Sequence, residues 1–78
     1  MQQGGHMTLE ELGRLFDGRS NCAIGIARDN AYCIVKSLMG WNVFYQEHGV
    51  RYNTESFSNE NDACLNFIEQ VKATPLYK

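Results

Sequence analysis

The shortness of the segments between four strand-like runs constrains the fold of this chain more than any other feature. The runs are rich in β-branched and aromatic residues and cover 22–27, 31–38, 41–47 and 50–57. Two or three residues separate each run from the next, and connections this short join neighbouring antiparallel strands. The sequence therefore predicts a four-stranded antiparallel meander.

The last connection, His48-Gly49, predicts how the third and fourth strands face each other. As a two-residue hairpin loop it sets three facing pairs: Glu47 with Val50, Tyr45 with Tyr52, and Val43 with Thr54. A loop one residue longer would shift this register and turn every side chain to the other face of the sheet.

Side-chain alternation divides this hairpin into two faces. The predicted core face carries Trp41, Val43, Tyr45, Val50 and Tyr52. The opposite face carries Asn42, Phe44, Gln46, Arg51, Asn53 and Glu55. Phe44 is then a single exposed aromatic among polar neighbours, and Tyr32 and Ile34 of the preceding strand would extend an apolar patch beside it.

A short helix is predicted before the strands and a longer one after them. Thr8 and Glu11 fit a capping box, and an apolar stripe then continues over a helix of about ten residues. The second helix begins at a cap formed by Ser58 or Asn59 and ends before Pro75. The resulting order, α-β-β-β-β-α, predicts an α+β fold in which two helices pack on the sheet.

The length of 78 residues fits one domain. Residues 1–6 lack apolar periodicity and end in the histidine of a His-Met pair typical of cloning junctions. We therefore interpret them as a cloning remnant and 7–78 as the domain. Cys22, Cys33 and Cys64 lie among apolar residues without a CxxC pair, which predicts reduced core thiols in a cytoplasmic protein. No apolar run predicts a signal peptide or a membrane span.

Charge and motif content argue against several classes of function. Nine acidic residues against seven basic ones provide no basic stripe for nucleic acid. Beyond the remnant, His48 and three scattered cysteines predict neither a zinc site nor a nucleophile pair, and the glycines are too dispersed for a phosphate loop. We expect no enzyme, no cofactor, no metal and no small-molecule substrate, but a protein that binds another protein.

A motif in the C-terminal half resembles a known family. Residues 41–49 read W-x-V-x-Y-x-E-x-G, and residues 57–67 read F-x-x-E-x-x-A-C-x-x-F. This combination resembles small immunity proteins of bacterial polymorphic-toxin and contact-dependent inhibition systems. The resemblance implies a cytoplasmic protein that binds and neutralises one cognate toxin domain, often a nuclease. The alternative is a generic regulatory or oligomeric interaction module.

The candidates for contact with a partner are Phe44, Glu47, Tyr52, Glu55 and Glu60. Carboxylates around an aromatic anchor suit a basic partner, because the charges speed encounter and the ring supplies buried contact energy. Each candidate also has a structural interpretation. The two aromatic residues can belong to the core, Glu47 and Glu55 can be solvated charges, and Glu60 favours the positive end of the second helix.

Overall fold

The computed structural model describes residues 7–73 as two helices and one four-stranded sheet. The elements are α1 (Leu9–Leu15), β1 (Cys22–Ile24), β2 (Ala31–Ser37), β3 (Gly40–Glu47), β4 (Val50–Phe57) and α2 (Glu60–Ala73). This order confirms the predicted α+β arrangement. The interpretation of residues 1–6 as a remnant and of Pro75 as a helix stop falls outside the described residues.

The two helix starts follow from local sequence. Thr8 accepts a hydrogen bond from the Glu11 amide while the Glu11 carboxylate accepts one from the Thr8 amide, which confirms the capping box. At the second helix the Asn59 side chain accepts from the Asp62 amide at 3.0 Å, so Asn59 is the cap. Neither helix in the described part of the chain has the length and apolarity needed to cross a membrane.

The sheet has the order β1-β2-β3-β4, and its first pair departs from the predicted meander. The β2–β3 and β3–β4 pairs are antiparallel as predicted, whereas β1 runs parallel to β2. The prediction of a purely antiparallel sheet is therefore wrong at β1. β1 stops at Ile24, and Gly25, with φ at +88°, allows the chain to turn away from the sheet instead of entering a hairpin.

Residues 25–30 form the crossover loop that joins the parallel pair. Parallel neighbours are usually joined by a dozen or more residues. Six are enough here because β1 has three residues, so the loop travels back only about 10 Å along the strand direction. The Gly25 amide still donates to the Ile34 carbonyl at 2.8 Å, and the Asn30 amide donates to the Gln46 carbonyl at 2.7 Å.

Both helices pack on one side of the sheet, which we call the helix face. The main core there combines residues of α1, α2 and the sheet: Leu12, Phe16, Cys22, Ile34, Val43, Ala63, Cys64, Phe67 and Val71. The rings of Phe16 and Phe67 meet edge to face, with centroids 5.6 Å apart, and so join the helices. The three cysteines are buried and free, as predicted.

The crossover loop covers the opposite side of the sheet, which we call the loop face. A second apolar cluster lies there, formed by Ala23, Ala31, Cys33 and Phe44. Ala27 of the loop packs against this cluster, and the Cys33 thiol donates to the Arg28 carbonyl at 3.4 Å. The loop therefore supplies the cover that a helix layer provides on the other face.

Asp29 fastens the crossover loop to the β3–β4 turn. Its carboxylate accepts hydrogen bonds from the Gln46 side chain and the Gly49 amide, both at 2.9 Å. These bonds, the one from Gln46 first, lower the pKa of Asp29 from its ordinary value of 3.8. The carboxylate therefore stabilises the fold fully above that value, and its contribution is lost as the pH falls through the lower folded pKa.

The predicted exposure of Phe44 is wrong. Its side chain is 0 % exposed within the second cluster. The guanidinium carbon of Arg51 lies 4.2 Å from the ring centroid and covers it from the β4 side. An antiparallel hairpin at residues 28–30 would have left this ring open, whereas the crossover loop of the parallel pair closes over it.

The β3–β4 register agrees with the prediction near the turn and departs from it further along. Glu47 faces Val50 and Tyr45 faces Tyr52, which confirms the two-residue loop. Val43 faces Glu55, so its predicted pairing with Thr54 is wrong. Asn53, with φ at +56°, and Thr54 together oppose one residue of β3, which is a β-bulge.

The bulge moves Glu55 from its predicted face. Because one extra residue lies in β4, Glu55 shares the side of Val43 and Tyr45, which is the helix face. Glu47, Tyr52 and Glu55 therefore all project from the same side of the sheet.

We expect Phe44→Ala to lower the free energy of unfolding by about 3–5 kcal/mol, because it removes a buried ring and leaves a cavity. Urea unfolding followed by Trp41 fluorescence measures the change. Val50→Ala on the exposed edge strand is the control and should stay within about 0.5 kcal/mol of the parent. Equal stabilities of the Phe44→Ala variant and the parent would contradict the burial of this ring.

Candidate functional site

Three tyrosines form a row across β2, β3 and β4 on the helix face. Tyr32 faces Tyr45 across one strand pair, and Tyr45 faces Tyr52 across the next. The ring centroids of Tyr32 and Tyr45 are 4.9 Å apart, with the rings tilted by 56°. Contacting rings restrict each other's rotamers, so Tyr32 and Tyr45 form an ordered aromatic pair, and the backbone register places Tyr52 next to it.

The tyrosine row, Tyr32, Tyr45 and Tyr52, runs from the core towards solvent. Tyr32 is half-buried and packs against the main core. Tyr45 is also half-buried, and Tyr52 on the edge strand is 48 % exposed. One end of the row is thus anchored in the fold, while the other end is accessible to another molecule.

Two carboxylates flank the exposed end of the row. Glu47 follows Tyr45 on the same face, and Glu55 lies beyond Tyr52 on β4, opposite Val43. The Glu47 side chain is 46 % exposed and lies 3.9 Å from the His48 ring. Together with Val50 and the row, these residues form what we call the acidic tyrosine surface: Tyr32, Tyr45, Glu47, Val50, Tyr52 and Glu55.

The surroundings of Tyr45 disfavour ionisation of its phenol. Partial burial raises the pKa of Tyr45, and the neighbouring Glu47 carboxylate and Tyr32 ring raise it further. At neutral pH the Tyr45 hydroxyl is therefore a hydrogen-bond donor beside a negatively charged acceptor. The surface combines aromatic faces, a phenol donor and two carboxylates.

This combination is chemically complementary to cationic side chains. Arginine and lysine bind carboxylates through charge-assisted hydrogen bonds and stack on the faces of aromatic rings. Among residues 7–73, no group of three or more His, Cys, Asp or Glu side chains is placed to hold a metal ion. The thiol of Cys64, with a pKa raised by burial to about 11, is a poor nucleophile.

The structure brings together three of the five predicted contact residues. Glu47, Tyr52 and Glu55 share the acidic tyrosine surface, whereas Phe44 is buried on the loop face. Glu60 lies at the start of α2, where its carboxylate accepts a hydrogen bond from the Leu9 amide at 2.9 Å. Its contact therefore joins the two helix starts, away from the tyrosine row.

The contribution of Tyr32 to this surface was not predicted from the sequence. The predicted position of Tyr32 beside Phe44 is wrong, because Tyr32 lies on the opposite face of the sheet. The missing signal was the Leu38-Met39 turn. Interpreted as a two-residue loop, it pairs Ser37 with Gly40 and hence Tyr32 with Tyr45.

A scan of the chain against protein-family models found no match, and searches of curated proteins and of solved structures found none either. The family suggested by the resemblance of residues 40–71 to immunity proteins is therefore still a prediction.

We expect Glu47→Gln to lower the pKa of Tyr45, because the substitution removes a neighbouring negative charge that disfavours the phenolate. NMR titration of the Tyr45 ring measures this. Because the pKa of Tyr45 is raised in the folded parent, the contribution of this group to the free energy of unfolding is fully present below about 10, the pKa of tyrosine in the unfolded chain. That contribution is lost as the pH rises through the pKa of Tyr45 in the folded protein. Glu69→Gln on α2 is the control, and an equal shift in both variants would contradict a local effect of Glu47.

Proposed function

We propose that the protein is an immunity protein that binds a bacterial toxin domain through the acidic tyrosine surface and thereby neutralises it. The observation that carries this proposal is the row of three tyrosines flanked by Glu47 and Glu55 at the exposed edge of the sheet. The motif between Gly40 and Val71 supports the same function through its resemblance to immunity proteins.

The chemistry of the surface suits a toxin that acts on nucleic acid. A nuclease domain carries basic side chains where phosphates bind, and two carboxylates with phenol donors complement such a site. Charge attraction speeds the encounter, and the aromatic rings supply contact area at low conformational cost. Tyr52, with roughly half of its surface exposed, is the proposed anchor residue.

The form of the edge strand favours recognition by side chains. Residues 50–56 of β4 are all exposed, which leaves an edge that another strand could pair with. The bulge at Asn53 and Thr54 interrupts this edge, and bulges protect edge strands from unspecific pairing. A defined partner that recognises the side chains is therefore favoured over self-association through β4.

Most residues of the motif pack in the core. Val43, Cys64 and Phe67 are fully buried in the main core, and Trp41 and Phe57 pack against it. Tyr45 and Glu47 of the motif belong to the acidic tyrosine surface, whereas Tyr52 and Glu55 lie between the two motif segments, on the exposed edge strand. The motif therefore contributes mainly to the core, and Tyr45 and Glu47 connect it to the proposed binding surface.

Co-expression with the product of the neighbouring gene, taken as the candidate toxin, tests the proposal. We expect the protein to restore growth of cells that produce the toxin and to elute with it as a stable complex in size-exclusion chromatography. A protein that neither binds the toxin nor protects the cells would overturn the proposal. Concentration-dependent self-association without toxin binding would support the alternative, an oligomeric interaction module.

We expect Tyr52→Ala to weaken toxin binding by about 2 kcal/mol, mainly through faster dissociation, because a half-exposed ring is lost from the contact. Biolayer interferometry measures both rate constants. Thr54→Ala on the same strand is the control, and unchanged dissociation for Tyr52→Ala would exclude this ring as the anchor.

We expect the double variant Glu47→Gln/Glu55→Gln to slow association roughly 10-fold at low salt, with the difference vanishing at high salt as the charges are screened. Glu10→Gln/Asp17→Asn near α1 changes the net charge equally and is the matched control. Equal slowing in both double variants would assign the effect to net charge and not to this surface.

A further inference from the structure

The turn between β2 and β3 exposes two large apolar side chains. Leu38 is fully exposed and Met39 is 89 % exposed. Two-residue hairpin loops are usually built from Asn, Asp and Gly, whose backbones suit the turn and whose surfaces suit water. Neither side chain is buried in the described structure, so core packing does not account for their presence.

A rigid base holds this tip in place. Gly40, with φ at +149°, lies so close to β4 that a Cβ would collide with the Phe57 carbonyl oxygen. Beside it Trp41 is half-buried, with the Lys36 ammonium 5.1 Å from the ring centroid. The close packing of Gly40 on β4 limits the backbone entropy that the tip would lose on entering a pocket.

The charges near the tip indicate what kind of surface can accept it. The contact of Gly40 with Phe57 and Ser58 places the tip next to the first turn of α2, which carries Glu60 and Asp62. The two negative charges of these residues exceed the single positive charge of Lys36 on β2. Two tips brought together would place like charges side by side, and an anionic membrane would repel them. A protein pocket with an apolar floor and a basic rim is complementary.

We propose that the Leu38–Met39 tip is a second contact with the toxin domain and inserts into an apolar pocket with basic side chains at its rim. This inference rests on the proposed function, because the toxin domain supplies the pocket. Met39 and Tyr45 are separated by six positions along the chain, about 20 Å in a strand. One interface of standard size covers that distance, so the tip and the acidic tyrosine surface can engage one partner together.

The test compares the toxin affinity of the parent protein with that of Leu38→Ser/Met39→Ser. Both side chains are exposed, so the double variant should fold normally, as checked by circular dichroism and thermal unfolding. We expect its affinity to fall about 30-fold or more through faster dissociation, with association unchanged because no charge is altered. Leu15→Gln on α1, which replaces another leucine that is 61 % exposed, is the control and should bind like the parent.

The outcomes distinguish this inference from the proposed function. If the parent and the double variant bind the toxin with equal affinity, the tip contact is overturned and the proposed function stands. The same conclusion follows if Leu15→Gln loses as much affinity as the double variant. A parent that fails to bind the toxin would overturn both. Sedimentation of the free protein, alone and with phosphatidylcholine/phosphatidylglycerol vesicles, tests other occupants. If dimerisation or vesicle binding requires Leu38 and Met39, the partner of the tip is a second copy of the protein or a membrane, and the toxin contact is overturned.

Discussion

The Phe44 side chain is buried between the crossover loop and Arg51, and the arrangement of the sheet depends on this packing. The ring fills the loop face because β1 pairs in parallel with β2 and sends residues 25–30 back across the sheet. On the β4 side, the bulge at Asn53 and Thr54 lies opposite the same ring. Beyond the bulge the side chains of β4 change faces, which brings Glu55 to the helix face. The packing on one side of the sheet is thus linked to the charges displayed on the other.

The core and the proposed binding surface are continuous on the helix face. On the helix face, Ile34, Val43 and Phe67 form the core, and the tyrosine row continues the same surface towards the open edge of β4. The residues of the proposed binding surface are therefore positioned by the core that they border. Rings that are ordered before binding give contact energy with a smaller entropic cost than flexible side chains.

Asp29 connects the crossover loop to this surface. Its hydrogen bonds to the Gln46 side chain and the Gly49 amide tie the loop to the turn that follows Glu47. The unusual first strand pair therefore contributes to the position of the turn beside the acidic tyrosine surface. The hydrogen bonds of Asp29 therefore connect the loop face to the turn beside the proposed binding site.

Local sequence determined the elements, their order, both helix starts and the pairing of Tyr45 with Tyr52. Those features depend on side-chain alternation, capping and turn chemistry, which act between residues close in the chain. Tertiary structure decided the direction of β1, the burial of Phe44 and the face of Glu55. Each of these depends on contacts between residues that are distant in the chain. A short connection can form either a hairpin or a crossover, and the side chains that it packs against decide which. A β-bulge likewise depends on how two strands pair along their whole length. Glu47 and Tyr52 lie on the predicted face because the hairpin loop sets their register locally, but Tyr52, predicted to be core, is 48 % exposed on the edge strand. The tertiary packing buried Phe44 and moved Glu55 to the other face.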